Sequence, residues 1–78
     1  MKEKIRTYII ENILEEEIDL TYRTVLYSDG LLNSMGHLKL LNFLERTFNV
    51  SIPAGEVNMD NFDTINQICD FIQNKSTS

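Results

Sequence analysis

The sequence predicts an all-α protein, a small four-helix bundle with three main helices, one short helix and a long loop between the first two helices. Three stretches carry apolar residues at helical spacing, and no stretch alternates between apolar and polar side chains as a strand does. The 78 residues fit a single domain over residues 1–78. A chain this short buries only about 60% of its unfolded surface, so a deep enzyme cleft would compete with the core.

The first helix is expected over about residues 2–16, where Ile5, Ile9 and Ile13 recur every four residues. Residues 15–17 are all glutamate, and carboxylates near a helix C-terminus oppose the helix dipole. This run of glutamates is therefore expected to end the first helix.

The connection over residues 18–33 shows no sustained helical period, and a connection of this length in so small a domain is often functional. Its larger apolar side chains are expected to pack on the bundle, because unburied they would form a large apolar patch. These side chains belong to Leu20, Val25, Leu26, Leu31 and Leu32.

The second helix is expected over residues 34–48, where apolar residues again recur at helical spacing. Its main apolar face consists of Leu38, Leu41, Leu44 and Phe48, with Met35 at the start and with Leu40 and Phe43 widening it. Asn49 suits the end of this helix, because asparagine tolerates the left-handed backbone found at many helix ends. Pro53 disfavours helix in the residue before it.

A short helix is expected over about residues 58–62, and the last main helix follows it. Thr64 and Gln67 fit the capping-box pattern at the start of that last helix. The apolar face of the last helix consists of Ile65, Ile68, Cys69 and Ile72. Residues 76–78, Ser-Thr-Ser, are expected to form a frayed tail.

The net charge of −5 and the pI near 4.6 disfavour binding to duplex nucleic acid or to an anionic membrane surface. Basic protein surfaces are the partners that this net charge favours. The N-terminus leads into an amphipathic pattern rather than a signal peptide or a membrane span, so a cytoplasmic location is expected. Cys69 is the only cysteine, which excludes an intrachain disulfide, and no cysteine–histidine cluster indicates a structural metal.

The most informative stretch is residues 29–35, which read Asp-Gly-Leu-Leu-Asn-Ser-Met and lead into the second helix. This order places the hydroxyl of Ser34 at an exposed first helical turn, beside backbone N–H groups that favour an anion. A hydroxyl in that position is suited to carry a phosphodiester. The alternative is that Ser34 only caps the helix, which is the common role of a serine at a helix start.

The sequence around Ser34 resembles the phosphopantetheine attachment segment of acyl, peptidyl and D-alanyl carrier proteins. Residues 26–35 read Leu-Tyr-Ser-Asp-Gly-Leu-Leu-Asn-Ser-Met, and the family commonly has an acidic residue, then Gly-Leu-Leu-Asp-Ser, then Leu or Met. The similarity continues through the second helix to Pro53 and into residues 61–65, Asn-Phe-Asp-Thr-Ile. The chain is thereby identified as a member of the acyl carrier protein family, which implies a four-helix bundle of the acyl-carrier type.

The resemblance implies that Ser34 carries 4′-phosphopantetheine, transferred from coenzyme A by a Mg²⁺-dependent phosphopantetheinyl transferase. The thiol of that arm would hold an acyl or aminoacyl group as a thioester, and the carrier itself would not be an enzyme. The implied partners are the transferase, a loading ligase or acyltransferase, and a downstream synthase or transferase, with the carrier acting as a monomer. The residues expected to meet these partners are Asn33, Met35, Leu38, Lys39 and Asn42. The cargo stays open among fatty acyl, hydroxyacyl, amino acid and D-alanine groups.

Two features depart from the family pattern. Asn33 stands where the family usually has an aspartate implicated in recognition by the transferase, so either modification is slower or the exchange is tolerated. Lys39 and Arg46 outweigh Glu45 in the second helix, which weakens the acidic docking mode typical of carriers in fatty acid synthesis. Met35 and the Asp-Gly-Leu-Leu prefix look closer to stand-alone carriers that an adenylate-forming ligase loads.

Two other functions remain open from the sequence. The first is an unmodified helical adaptor that binds proteins through the second helix, which the asparagine at position 33 favours. The second is a small enzyme that uses Cys69 or His37, which has little support. Cys69 falls on an apolar face and is expected to be a buried, unreactive thiol, whereas His37 is expected to be solvated on the helix surface. The acidic residues between positions 60 and 63 lack the spacing of a calcium loop, so no metal site is expected.

Overall fold

Four α-helices surround a single apolar core in the parts of the chain that the computed structural model describes, residues 1–14 and 19–77. Helix α1 spans Lys2–Tyr8 and continues as a π-helical segment over Ile9–Leu14. The other helices are α2 (Ser34–Phe48), α3 (Met59–Phe62) and α4 (Ile65–Thr77), with a 3₁₀ turn over Ala54–Glu56 before α3. The predicted all-α bundle with three main helices, one short helix and a long first connection is confirmed.

The end of α1 differs from the sequence-based prediction. The first helix changes from α to the wider π geometry at Ile9, so the spacing of its isoleucines did not indicate regular α-helix to its end. Its last two predicted residues and the glutamate run at 15–17 lie outside the described residues. Helix α4 extends to Thr77, so it includes residues 76 and 77, and the fraying expected for residues 76–78 stays a prediction. Residue 78 lies outside the described residues.

The helix boundaries near the centre of the chain follow local capping chemistry. Asn49 ends α2 in the left-handed region with a φ of 54°, as its residue type predicts. At the start of α4, the Gln67 N–H donates to Thr64 Oγ1 at 3.1 Å, and Gln67 Oε1 accepts from the Thr64 N–H at 3.1 Å. This reciprocal pair is the predicted capping box. A second capping box, between Asn58 and Asn61, fixes the start of α3.

The buried face of α2 is only partly the one that the sequence predicts, since two predicted members of the face do not pack against the core. The members that pack against the core as expected include Leu41, Phe43 and Phe48. Leu40 and Leu44 are fully buried together with Gly36, because these positions recur every four residues on one side of the helix. Leu38, which the prediction placed on the apolar face, is 56% exposed, and Met35 is 65% exposed. Leucines occur on several sides of α2, so the spacing of apolar residues alone did not identify the side that meets the core.

The long connection packs on the bundle as the sequence predicts. Leu20, Leu26 and Leu32 are buried in the core, and Leu31 packs against it while partly exposed. Val25, the fifth predicted side chain, is half-buried but is not part of this core.

Backbone hydrogen bonds also tie this loop to the C-terminal part of the chain. The Leu26 N–H donates to the carbonyl oxygen of Asp63, between α3 and α4, at 2.7 Å, and the Asn66 N–H of α4 donates to the carbonyl oxygen of Tyr22 at 3.1 Å. This loop therefore approaches the start of α2 from a defined position. Within the described residues, no helix is both long enough and apolar enough to cross a membrane.

Gly36 brings α2 into close contact with the π-helical segment of the first helix. A Cβ atom placed on Gly36 would lie 2.8 Å from Cγ2 of Ile13, and the glycine is buried. Gly36→Ala is therefore expected to lower the free energy of unfolding by about 1–3 kcal/mol, because a branched side chain must move to admit the methyl group. Chemical denaturation monitored by circular dichroism measures this difference.

Gly55→Ala is the matched control for the Gly36 prediction. Gly55 is exposed in the 3₁₀ turn and a Cβ atom there meets nothing within 4 Å. This control is expected to leave the free energy of unfolding within about 0.5 kcal/mol of the wild-type value. Equal losses for the two alanine variants would contradict the close packing at Gly36.

Candidate functional site

At the start of α2, the capping residue is Asn33 and not Ser34. Asn33 is the N-cap residue, and its Oδ1 accepts the backbone N–H of Gly36 at 2.8 Å. Its carbonyl oxygen also accepts the N–H of His37 at 2.9 Å, the first hydrogen bond of the helix. Ser34 is the first helical residue and is exposed, and its hydroxyl has no hydrogen-bond partner among the described residues. The hydroxyl of Ser34 is therefore available for chemistry and does not cap the helix.

The N-terminus of α2 provides a favourable environment for a negative group at Ser34. The helix has 15 residues, and its aligned peptide dipoles leave partial positive charge at this end. No acidic residue occupies the first turn, so no carboxylate competes for the free N–H groups there. A phosphate attached to the Ser34 hydroxyl would lie where backbone N–H groups and the helix dipole both favour it.

An open groove of about 530 Å³ adjoins Ser34. The long connection, α2 and the segment leading through α3 form its walls, and the exposed surface of these walls is mainly apolar. The lining residues are Tyr27, Leu32, Asn33, Ser34, His37, Leu38, Val57, Asn58 and Phe62. An extended arm attached at Ser34 would therefore have an apolar surface beside it, and the groove residues fit such an arm.

Tyr27 and His37 form one polar contact in the wall of this groove. The Tyr27 Oη lies 2.8 Å from Nδ1 of His37, and the two rings meet edge to face with centroids 5.4 Å apart. Burial raises the pKa of the Tyr27 phenol, and the nearby carboxylate of Asp63 raises it further. The phenol therefore stays protonated at neutral pH and can donate a hydrogen bond. His37 is half-buried by this contact, which corrects the expectation of a solvated histidine.

Asp63 anchors the loop that leads to the site. Its Oδ1 accepts the backbone N–H groups of Tyr27 at 2.8 Å and Ser28 at 3.1 Å, and its Oδ2 accepts the Ser28 hydroxyl at 2.6 Å. The hydrogen bond from the Ser28 hydroxyl, with support from the backbone N–H groups, holds the pKa of Asp63 below its ordinary value although burial opposes this. The ionised carboxylate thus holds the backbone of Tyr27, a residue of the groove wall, in place.

The residues predicted to meet partners lie on one exposed stripe of α2. The structure places Asn33 at the cap, and it places the other four predicted residues on the exposed side of the helix. Arg46 lies on the same side, four residues after Asn42. We call this stripe the outer face of α2, and it consists of Met35, Leu38, Lys39, Asn42 and Arg46.

Several groove residues were not identified from the sequence. Val57 and Asn58 line the groove although they lie more than twenty positions after Ser34. Phe62 falls within the Asn-Phe-Asp-Thr-Ile segment that carries the family resemblance, so its motif was the one available signal. Val57 and Asn58 carry no such signal, because only the folding of the chain brings them to Ser34.

Cys69 is part of the core. It is 1% exposed, and burial raises the pKa of its thiol, so it is the unreactive core cysteine that the sequence predicts. Among the described residues, no group of three or more histidine, cysteine or acidic side chains is placed to hold a metal ion.

Comparison with known proteins identifies the family to which the chain belongs. A family model described as "Phosphopantetheine attachment site" matches residues 3–72. The chain is 35% identical over 68 residues to a D-alanyl carrier protein of Leuconostoc mesenteroides, which covers 87% of this chain and 86% of that protein. It is 33% identical over 81 aligned positions to a D-alanyl carrier protein of Lactococcus lactis, covering 97% of this chain and 96% of that protein. The chain therefore belongs to the phosphopantetheine-binding family of acyl and D-alanyl carrier proteins, whose prosthetic group is covalent 4′-phosphopantetheine.

Proposed function

We propose that this chain carries 4′-phosphopantetheine on Oγ of Ser34 and presents an acyl or aminoacyl group to the enzymes of a pathway. The observation that carries the proposal is the position of Ser34, which is exposed as the first residue of α2 while Asn33 takes the capping role. A serine needed only for capping would accept a hydrogen bond from the helix itself.

The residues around Ser34 have defined tasks in this proposal. Asn33 holds the first turn of α2 in place, so that the hydroxyl of Ser34 is presented to an incoming transferase. The N-terminus of α2 stabilises the phosphate, and the adjoining groove offers an apolar surface along which the arm can lie. When attached, the arm supplies a terminal thiol that holds the cargo as a thioester. The chain contributes positioning and no bond chemistry of its own.

The exchange of aspartate for asparagine at position 33 is compatible with this role. The Oδ1 atom of Asn33 makes the same capping hydrogen bond that an aspartate would make, at 2.8 Å from the Gly36 nitrogen. What the exchange removes is one negative charge beside Ser34. We therefore place its effect in recognition by the transferase and not in the structure of the attachment site.

The proposed partners are a phosphopantetheinyl transferase, an adenylate-forming ligase that loads the cargo, and an enzyme that removes it. The identity to D-alanyl carrier proteins supports D-alanine as the first cargo to test. We propose that these partners contact the carrier as a monomer in the cytoplasm. The proposed contact residues are Asn33 and Met35 beside Ser34, with Leu38, Lys39 and Asn42 along the outer face of α2.

Intact mass spectrometry after incubation with coenzyme A, Mg²⁺ and a broad-specificity transferase tests the attachment. The wild-type chain is expected to gain the mass of one phosphopantetheinyl group, and Ser34→Ala is expected to gain none. Ser51→Ala is the matched control, because Ser51 is an exposed serine outside the helices, and it should be modified like the wild type.

Two results would overturn the attachment proposal. An adduct that persists in Ser34→Ala would place the arm on another residue. A wild-type chain that stays unmodified, with a folded circular dichroism spectrum, would favour the adaptor that binds partners without an arm.

A further inference from the structure

We infer that the enzyme that loads this carrier docks on the outer face of α2 through an apolar patch flanked by carboxylates, which meet Lys39 and Arg46. This inference rests on the proposed carrier function, and it specifies the chemistry of the partner surface. The net charge of −5 favours a basic partner, but the charges on the outer face of α2 have the opposite sign.

The part of the outer face nearest Ser34 is apolar. Met35 is 65% exposed and Leu38 is 56% exposed, and the two side chains lie one turn apart on the same stripe. Among the described residues, Met1 at 43% is the one other large apolar side chain that is exposed, and the rest are buried or partly buried. Two neighbouring apolar side chains beside the attachment serine are suited to the centre of an interface, where contact with a partner excludes water.

The remainder of the outer face is cationic and has no carboxylate. Lys39 and Arg46 are both exposed, and neither makes an ion pair within the described residues. The single carboxylate of α2 belongs to Glu45, which is half-buried and accepts the backbone N–H of Ile52 at 2.9 Å. Glu45 is therefore engaged within the bundle and does not offset the two cations on the outer face.

The one polar contact of Lys39 leaves its charge available to a partner. The Lys39 Nζ donates to the backbone carbonyl oxygen of Asn12 at 3.4 Å, close to the upper limit for a hydrogen bond. A neutral carbonyl at that distance does not balance the ammonium charge. A carboxylate on a partner would form a shorter, charge-assisted hydrogen bond with Lys39, which favours an acidic partner surface.

Charge also argues against the other occupants of this face. A two-fold symmetric dimer built on the outer face would bring the cations of one copy near those of the other, which is unfavourable. An anionic membrane would attract Lys39 and Arg46 but repel the rest of a chain whose net charge is −5. A protein surface with carboxylates around an apolar pocket complements both the apolar part and the cationic part of the outer face.

Charge reversal with a matched control tests the inference. Lys39→Glu and Arg46→Glu place carboxylates on the outer face, whereas Arg23→Glu makes the same change of net charge in the exposed first connection. Each variant is first converted to the modified form and verified by intact mass, so that a loss of attachment is separated from a loss of docking. The probe is the purified adenylate-forming ligase of the host, with radiolabelled amino acid transfer to the carrier as the signal.

The expected result is a rise of about tenfold in KM for the Lys39 and Arg46 variants, with kcat unchanged, because repulsion acts on encounter and not on chemistry. Neutral Lys39→Gln and Arg46→Gln should give intermediate values. Arg23→Glu should behave like the wild type, and added salt should raise the KM of the wild-type carrier. Carbodiimide coupling, which joins amines directly to carboxylates, should link Lys39 to an aspartate or glutamate of the ligase.

Several outcomes would overturn the inference. One is an unchanged KM in both outer-face variants, and another is an equal rise in KM in all three charge-reversed variants. A lower KM after charge reversal would indicate a basic partner. Self-association of the wild type that Lys39→Glu abolishes in sedimentation would assign the face to a second copy, and binding to phosphatidylglycerol vesicles would assign it to a membrane. If the chain accepts no arm, fluorescence titration of labelled Ser34→Ala with the ligase still measures the effect of the same reversals on docking.

Discussion

Replacing Asp63 with alanine is expected to lower the free energy of unfolding by about 3 kcal/mol, because it removes a buried carboxylate that accepts three hydrogen bonds from the loop. The donors are the backbone N–H groups of Tyr27 and Ser28 and the Ser28 hydroxyl, all within 3.1 Å of the carboxylate. The loss is large for a chain of 78 residues, since bundles of this size are stable by only a few kcal/mol. Urea denaturation followed by circular dichroism measures it.

Asp70→Ala is the control for the Asp63 prediction. Asp70 lies on α4 with an exposed side chain, so removing its carboxylate changes the net charge by the same amount without removing the loop anchor. Its expected effect is within about 0.5 kcal/mol. Equal losses in Asp63→Ala and Asp70→Ala would show that net charge, and not the contacts of Asp63, determines the stability.

The pH dependence of stability should also depend on Asp63. The pKa of Asp63 is lowered in the folded chain, so its contribution is fully present above the unfolded value of about 3.9 and is lost as the pH falls through the folded value. The wild type should therefore lose more stability than Asp63→Asn between about pH 5 and about pH 2. A parallel decline in the two proteins would contradict the lowered pKa.

The second large effect is expected at Phe62, the largest of the fully buried side chains in the described core. Its ring meets Phe71 edge to face at a centroid distance of 5.8 Å, and it also lines the groove beside Ser34. Phe62→Ala is expected to lower the free energy of unfolding by about 3–5 kcal/mol, because it leaves a cavity that the bundle cannot fill. Much of the population should then be unfolded at room temperature, which thermal denaturation would show as a broad, early transition.

Two control variants separate cavity formation at Phe62 from other effects. Phe62→Leu keeps most of the buried volume and is expected to lose about 1 kcal/mol. Leu38→Ala truncates an apolar side chain that is 56% exposed on the outer face of α2, and it should leave the stability nearly unchanged. A loss at Leu38 as large as the loss at Phe62 would mean that Leu38 belongs to the core, as the sequence first predicted.

The candidate site was only partly predictable from the sequence. Ser34 and its position at a helix start follow from a local motif, and the structure adds that the neighbouring Asn33 performs the capping. The groove was not predictable, because Val57 and Phe62 reach Ser34 only when the last third of the chain folds back on α2. His37 was misjudged for the same reason, since its partner Tyr27 lies in a loop without regular structure.

The sequence by itself determined the order of the helices, the limits of α2 and the family to which the chain belongs. These properties are encoded within single stretches, in the spacing of apolar residues, the capping residues and the motif around Ser34. Only the tertiary structure decided that Met35 and Leu38 lie outside the buried side of α2, since that depends on which side of the helix packs against the rest of the bundle. It also decided that Asp63 holds the loop beside the groove, because a hydrogen bond between residues more than thirty positions apart leaves no local pattern in the sequence.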